Sequence, residues 1–231
     1  MPRSALISHL TIVCATALFA STGCKDELPK YEPKGAYSGQ AASMPPVPNV
    51  TQKPVKAGDA YTVWGASYYL RSRVHHKEVA GKELKITGYI VKTNLEDAPE
   101  CAVHETGKDD GDDCKPPIPT FWIADSADAD IKDSIRVMGW ASNFAQLYDA
   151  IKEYKKKKKD PDPITDGFWG VKIPRPLPVK GAKVTVMGQY SNTFTKATSG
   201  AVADPIMGLL TYEELEYDEA PTELASLPGM R

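Results

Sequence analysis

The hydrophobic pattern of the chain changes character along its length. Leu10 to Ala20 form an almost unbroken apolar run. Residues 24–57 show no apolar period, and prolines recur at 29, 33, 45, 46, 48 and 54. From 58 to 217 apolar side chains return, mostly at the spacing of two that marks strands half-buried against a core. The last stretch, "DEAPTELASLPGMR" (218–231), loses the period again and reads as a flexible tail.

Within 58–217 the alternation predicts individual elements. "KELKITGYIVK" (82–92) sets Leu84, Ile86 and Ile90 on one face against Lys85, Thr87 and Tyr89 on the other. "TFWIADS" (120–126) and "SIRVMGW" (134–140) repeat the alternation over shorter spans. "AKVTVMGQYS" (182–191) places Val184, Val186 and Tyr190 together, and "MGLLTYEELEY" (207–217) reads as the last strand. The aromatic, β-rich "YTVWGASYYL" (61–70) predicts an extra N-terminal strand. One segment has the helical period instead: "SNFAQLYDAIKEYKKKKK" spaces Phe144, Leu147, Tyr148, Ile151 and Tyr154 along one face. Ser142 stands in the N-cap place, and Lys155–Lys159 oppose the negative end of the helix dipole. "DPDP" then stops the helix, because proline cannot continue it.

The order is strand, long loop, strand, strand, helix, long connection, strand, strand. That order resembles the five-stranded OB-fold barrel, mainly β with one helix between strands 3 and 4. The resemblance covers roughly residues 80–217. "GKELKITGYIV", "FWIADS" and "KGAKVTVMGQY" are similar to its first, second and fourth strands, with Gly88 and Gly188 where curved strands bend. It implies a ligand face on the second and third strands; it names no reaction, since fold does not fix function.

The N-terminus adds an address. Arg3 precedes the apolar run, and Ser21, Thr22 and Gly23 lead to Cys24. A run of this length does not span a bilayer, and the layout is that of a cleaved leader, 1–23. The small residues ending at cysteine resemble the lipobox of bacterial lipoproteins, in which that cysteine is thioether-linked to diacylglycerol. The resemblance implies lipidation of Cys24 and attachment to the membrane through the N-terminal lipid. Lys25 in place of Asp implies sorting to an outer membrane, with the domain facing the periplasm or the surface. Ser21 and Gly23 also suit ordinary signal cleavage, which would release a secreted chain. Residues 24–57 then form a proline-rich disordered tether, with a coil span of about 30 Å. One domain, 58–217, remains.

Loss of the leader removes Cys14, and lipid consumes Cys24, leaving Cys101 and Cys114 as a pair. In the intervening "CAVHETGKDDGDDC" a Cys-x-x-His with a later Cys could offer zinc three ligands in a reducing compartment. Outside the cell two such thiols oxidise, and the expectation is a disulfide closing the loop. The aspartates at 109, 110, 112 and 113 lack the spacing of a calcium loop.

Candidate chemistry is sparse. No nucleophile elbow, phosphate loop, zinc-protease helix or dinucleotide motif occurs, and Asp125 with Asp128 reads as hairpin capping rather than an acid pair. His75 and His76 read as loop residues ahead of a strand. No catalytic residue, metal ligand or cofactor is therefore assigned. If Ile86, Phe121, Ile123, Ile135 and Val137 point inward, then Tyr89, Trp122, Arg136, Met138 and Trp140 point outward. Such aromatics with an arginine could form a ligand face, or pack beneath 61–70 or the loop around Phe168 and Trp169. The formal charge of −2 becomes −3 without Arg3, and the only basic cluster is the lysine run. Single-strand nucleic-acid binders need a basic groove, so the balance argues against that ligand. The expectation is a lipid-anchored envelope protein with a non-catalytic module for a protein, peptide or glycan partner. An envelope enzyme or metal-dependent protein and a nucleic-acid binder are the alternatives.

Overall fold

A computed structural model describes residues 30–32, 53–156, 163–196, 202–218, 221 and 226–230. The chain divides into two compact units, 1–49 and 50–231. Of the first, only Lys30, Tyr31 and Glu32 are described, exposed and without regular structure. The leader, Cys24, most of the expected tether and Lys157–Lys159 lie outside the described residues.

The second unit is built on a barrel. After β1 (Lys56–Ala57) and β2 (Ala60–Thr62) come α1 (Val63–Arg71) and α2 (His76–Val79). The barrel strands are β3 (Lys82–Thr93), β4 (Thr120–Ala124), β5 (Ile135–Met138), β6 (Lys183–Ser191) and β7 (Leu209–Tyr217), with α3 (Phe144–Lys156) between β5 and β6. They pair in the order β3–β4–β5–β7–β6, and β6 pairs back onto β3, closing the circle. Only β5 and β7 run parallel; the other four pairings are antiparallel. This is an OB-like barrel, with its helix between the third and fourth strands.

Alternation places the core where hydrophobic burial requires it. Ile86, Ile90, Phe121, Ile123, Ile135, Val137, Val184 and Val186 are fully buried inside the barrel. Leu84, near the barrel's end, is half-buried. Gly188 also points inward, at the register shift between β6 and β7. A methyl group there would stand 2.1 Å from the Thr211 carbonyl oxygen, so the residue must be glycine for those strands to approach.

Four expectations need correction. The segment 61–70 is not a strand: only Tyr61 and Thr62 pair with β3, and the chain then turns into α1. Thr62 caps that helix by accepting from the Gly65 N–H, while Asp125 accepts from the N–H groups of Val63 (2.7 Å) and Trp64 (2.9 Å). Val63, Ala66, Ser67 and Leu70 then bury one helical face. Second, the cap of α3 is Asn143, whose side chain accepts from the Gln146 N–H, because Ser142 is engaged elsewhere. Third, the tail returns to the core at 226–230: Leu227 is buried and Met230 packs against the same cluster. Fourth, His76 is the first residue of α2 and not a loop residue.

β2 explains how the N-terminal segment joins the barrel. β6 occupies one edge of β3 from Lys82 to Tyr89, and β4 takes the other edge only from Tyr89 onward. The shortness of β4 leaves Ile86 and Thr87 open on that edge, and Tyr61 and Thr62 pair with them. Unpaired edge groups are thereby satisfied.

Candidate functional site

The loop 94–119 is closed by a disulfide between Cys101 and Cys114. It is also docked on α3. The Thr106 amide and hydroxyl both donate to Asp149, and Glu105 pairs with Lys152. His104 braces the loop, with Nδ1 2.9 Å from the Glu105 carbonyl and Nε2 2.8 Å from the Asp110 carboxylate. Those two hydrogen bonds hold its pKa above the ordinary histidine value, the backbone carbonyl having the larger effect. Among the described residues no group of three His, Cys, Asp or Glu side chains is placed to hold a metal ion. Cys114→Ala is expected to lower stability by about 2 kcal/mol, toward the low end for a short loop because the contacts to α3 persist. Calorimetry under oxidising conditions checks this; an unchanged melt would mean that docking alone holds the loop.

The other two described histidines are structural too. His75 stacks on Tyr69, with ring centroids 4.3 Å apart, and pairs with Glu78 at 2.7 Å. His76 Nδ1 donates to the Leu70 carbonyl. Asp125 serves the N-terminus of α1, and Asp128 accepts from the Ser126 hydroxyl, which holds its pKa below the usual carboxylate value. The two do not form an acid pair.

The outward residues separate into distinct places. Trp122 and Arg136 are directly opposite each other on β4 and β5, both half-buried. The guanidinium carbon lies 5.7 Å from the indole centroid, and Lys92 Nζ lies 5.6 Å from it, so the ring is flanked by two cations. Arg136 Nε is buried without a partner among the described residues. Lys92 was not singled out by sequence reasoning, because only the bulge between Ile90 and Lys92 brings it opposite Trp122, where an unbroken ladder would have put Val91.

Trp140 is not on this face. It is completely buried in the core and packs edge-to-face on Phe121 at 5.9 Å. β5 ends at Met138, and Gly139 takes a φ of 88°, which breaks the alternation and turns the next side chain inward. Met138 does point outward, but it is covered. Phe194 and Leu209 pack with it, and Ile118, Trp169 and Val202 close over them. Trp169 reaches this position because Asp166 accepts from its N–H at 2.7 Å.

Tyr89 lies in a cleft of about 560 Å³ between the β1–β2 hairpin and the outer face of β3 and β6. Tyr89 is opposite Lys183, and Thr87 is opposite Thr185, so the floor is a block of four side chains on two strands. Lys183 Nζ lies 5.9 Å from the Tyr89 centroid and pairs with Asp218 at 3.1 Å. That hydrogen bond and charge raise the lysine pKa above its ordinary value. Asp59, Ala57 and Ala60 form the hairpin wall. Tyr89 was expected on the Trp122 face; the structure places it in this separate concavity.

No protein-family model matches the chain, and no curated protein matches it. Among solved structures, one similar chain is a Leishmania major Friedlin protein described as an aspartyl-tRNA synthetase. It has 14% identity and a TM-score of 0.32 over 80% of this chain. The match covers 25% of that protein, and a likeness this low carries no argument about function.

Proposed function

We propose that the chain is a lipid-anchored protein of the bacterial cell envelope whose OB-like barrel is a non-catalytic binding module. The leader ending at Gly23-Cys24 supports the address, and the outer face of β4 and β5 supports the activity. The observation that carries the binding reading is Trp122, an aromatic ring half-exposed between Lys92 and Arg136. A rigid aromatic beside an arginine is the composition of an interface anchor. The two cations favour an envelope protein, peptide or glycan that presents acidic groups, because complementary charge guides encounter. The module needs no cofactor for such capture.

The test uses the full chain expressed in a bacterial host. Cys24→Ser is expected to move it from the membrane fraction to the soluble periplasm; an unchanged distribution would defeat the lipid anchor. Trp122→Ala and Arg136→Ala are each expected to abolish partner capture from envelope extract while melting close to the parent chain. Capture retained by both variants would defeat the binding face.

A further inference from the structure

The cleft holding Tyr89 has features that the Trp122 face lacks. Its volume of about 560 Å³ falls within the range of small-ligand sites, roughly 300–1,000 Å³. Its floor is rigid, since Thr87, Tyr89, Lys183 and Thr185 stand on the longest continuous pairing of the barrel. The hairpin wall carries Ala57 and Ala60, small side chains that leave the space open.

The polar groups in the cleft fall into two sets. The charged ones are balanced and mostly engaged. Two lysines and three aspartates line the space. Lys183 is held by Asp218, Asp59 by Lys85 at 3.2 Å, and Asp125 by the first amides of α1. Of the hydroxyls, that of Thr62 is engaged as the cap of α1, and the other three are not. Those of Thr87, Tyr89 and Thr185 make no hydrogen bond to any described residue, and all three open into the same space.

We propose that this cleft is a second binding site, separate from the Trp122 face, and that its ligand class is a neutral saccharide. A sugar hydroxyl both donates and accepts, and so do the side-by-side threonine hydroxyls, so either orientation of the pair is satisfied. The Tyr89 ring supplies the apolar plane against which a sugar's C–H face packs. The charge lining selects against the alternatives. The carboxylates are already held by lysines and amides, so the lining offers little net field to a phosphate, a uronate chain or a cation. The site belongs to the added hairpin as much as to the barrel: without β1 and β2 the block on β3 and β6 would be a flat outer wall.

The experiment uses the full chain carrying Cys24→Ser on an array of neutral and acidic glycans, with direct titration of the neutral saccharides retained. The expected result is saturable retention of neutral saccharides that survives Trp122→Ala, any retention of acidic glycans belonging to the Trp122 face and being lost in that variant. The pair Thr87→Val and Thr185→Val keeps good strand formers and is expected to weaken that binding about tenfold, with an unchanged melting temperature. Tyr89→Leu is expected to weaken it further, while Tyr89→Phe keeps most of it. Retention of acidic glycans alone, retention of none, or binding indifferent to the threonine pair overturns the proposal.

Discussion

Trp140→Ala is expected to destabilise the chain by about 3–5 kcal/mol, the usual loss for a buried aromatic. The indole is inaccessible to solvent and contacts Phe121 at the centre of the barrel core, so its removal leaves a cavity that rigid strands cannot fill. For a domain of this size that corresponds to a fall in melting temperature of about 10 °C or more. Trp140→Phe should lose much less. The indole Nε1 has no hydrogen-bond partner among the described residues, so phenylalanine removes an unsatisfied buried donor along with some volume. Trp122→Ala, at a half-exposed position, should barely move the melt. Calorimetry of the three variants tests the order. Equal, small shifts for Trp140→Ala and Trp122→Ala would put both rings on the surface and break the account of β5.

The barrel strands were legible because their period of two is local, and a one-residue slip would turn each hydrophobic set outward. Ile86, Ile90, Phe121, Ile123, Ile135 and Val137 obey it without exception. Trp140 failed because the alternation was carried past Gly139, whose positive φ ends the strand's geometry. Nothing in "SIRVMGW" distinguishes a glycine within a strand from one that terminates it.

The segment 61–70 failed for a different reason. Its residues satisfy both periods: aromatics and Val63 suit a strand, while Val63, Ala66, Ser67 and Leu70 suit a helix. What decides between them is Asp125, whose carboxylate receives the first amides of α1 from far away in sequence. Local propensity is overridden by a tertiary contact. The cleft was illegible for the same physical reason, since its walls come from residues near 54, 60, 88, 125, 184 and 218. Of these, Tyr89 had been read as a ligand residue, and it was grouped with the Trp122 face. The disulfide could be read because its argument was chemical: two thiols left as a pair in one loop, expected in an oxidising compartment, need no knowledge of the fold.

Asp166, which no sequence pattern marked, is expected to be nearly as important as Trp140. It is 1% exposed, and its carboxylate accepts from four donors: the Ser142 N–H (2.7 Å), the Ser142 hydroxyl (2.8 Å), the Phe168 N–H (3.0 Å) and the Trp169 N–H (2.7 Å). It thereby ties the start of α3 to a turn whose own backbone is paired through Asp166–Val171 and Ile173–Ile164. Asp166→Ala leaves those donors unsatisfied, each costing about 1–3 kcal/mol where water cannot reach. Phe168 is 73% exposed, so water recovers part of this at its amide, and the expected net loss is about 3–4 kcal/mol. Asp166→Asn should lose a large share of it, because an amide offers one acceptor oxygen and turns its NH2 toward two donors. Hydrogen exchange separates this role from general destabilisation. The Trp169 amide should exchange faster in Asp166→Ala even under conditions where the barrel amides stay protected, and the dye-accessible apolar surface around Met138 should grow as Trp169 lifts away. If the Trp169 amide keeps its protection in Asp166→Ala, the carboxylate is not what holds the turn over β5.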